Sequence, residues 1–218
     1  MGPGRAFGVD SGYLGKKFSK IFSCGIWEAL ERDSVNPTIA FVTDVGNDLA
    51  YEAPPDAILE RLKTCLERLQ THHAQVVITA LPIDPLKRLK RIRFQVLRSL
   101  LYPQSRMRFV DFLDRAQELN EGLVSIAGDQ KMTIFTVPNE WYGLDPIHPR
   151  GRFLKQLWLE LFALSNLTPS NQSRADSSLA LSCFLRCLTA PNTRRVGLNR
   201  CNFIRRVQLF DGTQISLY

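Results

Sequence analysis

Asp145-Pro146-Ile147-His148 sets a carboxylate three residues before an imidazole, just past the apolar run 132–137. On a loop, that spacing lets the carboxylate hold one ring nitrogen and leaves the other for a substrate or a nucleophile. Far upstream, Thr43-Asp44-Val45-Gly46-Asn47-Asp48 follows another apolar run. There the Asn47 side-chain amide can donate to developing negative charge, and Gly46 lets the backbone bend close to substrate. The chemistry these residues suggest is acyl transfer. His148 would take a proton from a hydroxyl and return it to the leaving group, Asp145 would fix its tautomer, and Asn47 would bond the oxyanion. Plainer readings stay open: Asp145 caps a turn opened by Pro146, and Gly46-Asn47 is an ordinary turn with Asp48 capping the next segment. The remaining histidines, His72 and His73, end a surface helix, where a solvated role is expected.

The elements that must position these loops read as α/β. Runs 38–43, 75–81 and 132–137 are continuously apolar, the pattern of strands buried on both faces of a parallel sheet. Between the first two, Pro54-Pro55-Asp56 opens a helix to about residue 70, with Ile58, Leu59, Leu62, Leu66 and Leu69 at helical spacing. Strand, helix and strand in that order form a βαβ unit, and its crossover is right-handed. Further helices are expected over 22–32, 91–101, 110–127 and 153–164, with Gly128 as a stop signal. The loops beyond the carboxyl ends of such strands are where open α/β sheets bind ligands.

The ends of the chain read differently. Residues 1–18 are Gly-rich loop material, 165–178 are a Ser/Asn/Thr linker, and 179–188 form a short helix or strand. Asp211-Gly212 between alternating segments predicts a C-terminal β-hairpin. The expected organisation is therefore a domain over 1–164, a linker over 165–178 and an extension over 179–218.

Composition narrows the class. At 218 residues, 44% hydrophobic and 22% charged, the chain is globular rather than disordered. No apolar run approaches the roughly 18 residues of a membrane helix, and no signal peptide is visible, so a cytoplasmic protein is expected. Five cysteines without a CxxC pair read as reduced thiols; Cys183 and Cys187 lack the partners of a zinc site. No metal or cofactor is expected. Net charge is +7, and 87–108 carries eight Lys or Arg and no acid. Such a cluster attracts phosphates or an anionic surface, or is simply a solvated face.

In these residues the chain resembles the SGNH (GDSL-type) hydrolases. Asp145-Pro146-Ile147-His148 is similar to that family's Asp-x-x-His block, and 42–48 is similar to the block supplying the oxyanion Asn. The family more often writes Gly-x-Asn-Asp, whereas Gly46 here directly precedes Asn47. Gly2-Pro3-Gly4-Arg5-Ala6-Phe7-Gly8 resembles the glycine block, with Gly4 as second oxyanion donor. The resemblance implies a flavodoxin-like three-layer α/β/α sandwich and a Ser-His-Asp esterase acting on a small-molecule, carbohydrate or lipid ester. The family's nucleophile, the Ser of Gly-Asp-Ser after the first strand, has a partial counterpart in Val9-Asp10-Ser11-Gly12. No apolar strand precedes Ser11, so the expectation is that the nucleophile block lies upstream of Met1. A rival reading is a non-catalytic binding module using the basic helix for an anionic partner such as nucleic acid.

Overall fold

The computed structural model describes residues 6–13, 16–32, 37–102, 105–165, 194–195, 198–199, 206–208 and 214–216. Its centre is a parallel sheet of β3 (Ile39–Val42), β4 (Gln75–Thr79) and β5 (Thr133–Phe135), ordered β3-β4-β5. Ala40 lies opposite Val76, and Ile78 opposite Ile134. Two short strands precede the sheet, β1 (Ser11–Tyr13) and β2 (Lys16–Phe18), paired antiparallel with Ser11 opposite Phe18. A loop was expected over these residues. The pairing is a correction, and periodicity could not reveal strands of three residues each.

Seven helices complete the described fold: α1 (Ile26–Arg32), α2 (Asn47–Ala50), α3 (Pro55–Thr71), α4 (Ile83–Lys87), α5 (Arg91–Leu101), α6 (Phe109–Asp129) and α7 (Leu154–Leu164). The single helix expected over 22–32 is split, because Gly25 takes a left-handed φ of 87° between a 3-10 turn at Ile21–Ser23 and α1. Pro55 sits in the first turn of α3, where its missing N–H costs nothing. Helix α6 runs through its expected stop at Gly128 to Asp129; Lys131, with φ 51°, makes the left-handed exit instead.

Alternation along the strands sends side chains to two layers of helix. Val42, Val76 and Ile78 join Ile58, Leu62 and Leu66 of α3 and Leu119 and Leu123 of α6 in the main core. On the opposite face Phe41 meets Trp158 and Phe162 of α7 edge-on, at 5.7 and 5.1 Å between ring centres. Helices thus pack against both faces, and the loops carrying Asn47 and His148 leave the carboxyl ends of β3 and β5.

Near the C-terminus, β6 (Arg194–Arg195) pairs with β2 and with β7 (Leu198–Asn199). The last pair, β8 (Arg206–Gln208) and β9 (Gln214–Ser216), is antiparallel. The Asp211-Gly212 turn lies outside the described residues, as do 166–178 of the expected linker and all of 179–188.

Candidate functional site

The β5–α7 loop builds its own imidazole–carboxylate couple. Asp145 Oδ1 accepts from the backbone N–H groups of Ile147 at 2.8 Å and His148 at 3.2 Å, which curls 145–148 into one turn. Its other oxygen, Oδ2, lies 2.8 Å from His148 Nδ1. Among the described residues nothing bonds the other ring nitrogen. Both side chains are about a third open, at 32% for His148 and 36% for Asp145. The Asp145 hydrogen bond pushes the His148 pKa up; partial burial works against this, and the charges of Asp145 and Asp44 add to the rise. Burial pushes Asp145 the other way from its hydrogen bonds, but the His148 ring and the two amides together hold its pKa below the ordinary carboxylate value.

The β3–α2 turn is built from buried contacts. Asp48 is fully buried, accepts from the N–H of Phe7 at 2.6 Å and of Gly8 at 3.0 Å, and pairs with Arg61 at 3.0 Å. This carboxylate ties the 7–8 stretch to the residue next to Asn47, which is itself only 7% exposed. The Gly46 backbone is ordinary, with φ −74°, so the freedom expected of it is not used. The left-handed residue is Asp44, at φ 59°, in a region that Asp tolerates better than most side chains. Gly46 instead spares a contact, because a Cβ there would come 3.3 Å from Leu81 Cδ2.

The two loops converge. Asn47 and His148 line one cavity, with Asp145 and Ile147 on its rim and Leu49, Leu86 and Phe94 in its walls. A second cavity under the same turn is lined by Asp44, Asn47, Tyr102 and Tyr142. Crowding by protein raises the Asp44 pKa, opposed by the His148 charge. Burial raises the pKa of both tyrosines, Tyr142 to about 12. Arg98 Nε is buried in the wall without a partner, although its Nη1 reaches the Met107 carbonyl at 3.3 Å. That N–H is a further polar spot in the pocket, suited to an acceptor on a ligand.

Of the residues singled out in the sequence, His148, Asp145, Asn47 and Gly46 come together. Gly4 lies outside the described residues. Ser11 lies in β1, where the backbone path alone is described. Sequence reasoning missed Asp44 as a second carboxylate near the imidazole, the Asp48–Arg61 clamp, and the tyrosines lining the second cavity. Only Asp44 and Asp48 carried a signal, their place in the turn after an apolar run. Among the described residues no three His, Cys, Asp or Glu side chains cluster to hold a metal ion. No family model, curated protein or solved structure matches the chain.

Proposed function

We propose that Asp145, His148 and Asn47 form the base and oxyanion half of an ester-hydrolysing site of the SGNH type, on a flavodoxin-like three-layer sandwich. The observation that carries the reading is that Asn47 lines the same cavity as an imidazole whose Nδ1 is held 2.8 Å from a carboxylate. In the proposed step His148 Nε2 accepts the proton of an attacking hydroxyl as its oxygen bonds the ester carbonyl carbon. The electron pair of the carbonyl moves onto oxygen, where the Asn47 amide donates to it. Collapse expels the alkoxide, to which His148 returns the proton, leaving the acyl group on the attacking oxygen. A water deprotonated by His148 then attacks that acyl carbon and frees the acid and the hydroxyl. Gly4 is the proposed second donor and Ser11 the candidate source of the hydroxyl. The apolar cavity walls favour an ester with a hydrophobic acyl group.

The test is hydrolysis of 4-nitrophenyl butyrate by the full chain and by His148→Ala. A general base contributes about 100- to 10,000-fold, and a loss of that size is expected. Equal rates overturn the reading. Labelling with a fluorophosphonate, abolished by Ser11→Ala, assigns the nucleophile; a label on another residue removes Ser11 from the site. The rival reading, a binding module, is favoured by the acid-free basic run around α5. It gains if ester hydrolysis is absent from wild type.

A further inference from the structure

Helix α5 presents two unlike faces. Phe94 and Leu97 turn inward to the cavity that His148 lines. Ile92, Val96 and Leu100, spaced four apart, form a stripe on the opposite side and stay 76%, 61% and 67% exposed. Large aliphatic side chains in such a row, on the helix with the strongest basic surroundings, are unlike a merely solvated face. Lys87, Arg88, Lys90 and Arg91 are exposed at the start of the helix, and Arg106 is exposed beyond its end. Among the described residues none of these makes an ion pair; Arg108, by contrast, bonds Asp111 at 2.7 Å.

We infer that the outer face of α5 docks the protein on an anionic lipid surface, with Ile92, Val96 and Leu100 entering the headgroup–acyl boundary. The flanking Lys and Arg bind lipid phosphates. An in-plane amphipathic helix needs this combination: an apolar stripe to bury and cations beside it to hold anionic headgroups. No described helix is long and apolar enough to cross a membrane. Charge decides against self-association through this face, since two copies would bring like-charged runs together. Nucleic acid would use the cations but leave the aliphatic stripe in water, and the stripe offers no aromatic platform for bases. The inference does not depend on the hydrolase reading, because it concerns the outer face of α5 and is read by partition rather than turnover.

The test is flotation of the full chain with vesicles of phosphatidylcholine alone and of phosphatidylcholine mixed with phosphatidylglycerol. Partition into the anionic vesicles, falling with salt, is expected. Ile92→Ser/Val96→Ser/Leu100→Ser should lower it at least tenfold. Lys90→Glu/Arg91→Glu should lower it more steeply, since each cation near an anionic surface is worth about fivefold. All five side chains are exposed, so circular dichroism and Tm should match wild type. Absence of vesicle binding by wild type overturns the inference. So does equal binding by the triple-serine variant, or duplex DNA binding that ignores the stripe. Should one variant misfold, the other decides alone.

Discussion

The two loops that meet at the cavity are held in opposite ways. The β3–α2 turn is fixed from outside itself, through a buried carboxylate that gathers two amides and a guanidinium from distant parts of the chain. The β5–α7 loop is fixed from within, by one half-open aspartate bonding its own next residues and ring. A donor that must wait for charge to develop gains from rigidity. A base that must exchange protons gains from contact with water and a local partner. Stability should therefore reside in the first loop and titration in the second.

The largest expected effect breaks that division at Asp48. Asp48→Ala strips the partner from two buried amides and from Arg61, and should cost about 3 kcal/mol or more in denaturant unfolding. Asp145→Ala, removing a carboxylate that is 36% exposed, should cost under about 1 kcal/mol. Equal losses would erase the contrast. Next is Gly8, where a Cβ would strike the Arg61 guanidinium. Gly8→Ala should swing Arg61 away from Asp48 and cost about 1–3 kcal/mol. In the double variant with Arg61→Ala the two losses should fall short of additive. Full additivity would show that Gly8 acts through something else.

The smaller effects concern protons. His148 should titrate above its ordinary 6.5 in an NMR pH series, with Asp145→Asn lowering the midpoint and Asp44→Asn lowering it by less. Because the folded pKa of His148 is raised, its stabilising contribution is whole below 6.5 and fades as pH climbs through the folded value. Asp145 is depressed, so its contribution is present above 3.8 and is lost as pH falls through its folded value. Between those limits the couple adds under about 1 kcal/mol. The proposed ester hydrolysis would run the other way: it would need neutral His148 and should rise with pH through the raised pKa. A midpoint below 6.5, or one indifferent to Asp145→Asn, contradicts the couple.

The parallel strands and the long helices were legible because burial writes itself as apolar runs and helical spacing. Val76, Val77 and Ile78, or Ile58, Leu62 and Leu66, are examples. The Asp145–His148 couple was legible because its partners are three residues apart. Asp48 and Arg61 were not, since a buried ion pair looks like two surface residues until the fold joins them. Glu52 is similar: its carboxylate accepts from the amides of Arg106 and Met107, 54 and 55 residues away, and pins the chain below α5. The left-handed Asp44 was hidden by a neighbouring glycine that attracted the conformational argument without needing it.

A double-mutant cycle on kcat/KM for 4-nitrophenyl butyrate, using His148→Ala, Asn47→Ala and the pair, asks directly whether both loops serve one reaction. The expected result is a loss of about 100-fold or more in each single variant, with the pair losing far less than the product of the two. Single variants that match wild type, or losses that multiply as if the sites were independent, would contradict a shared site.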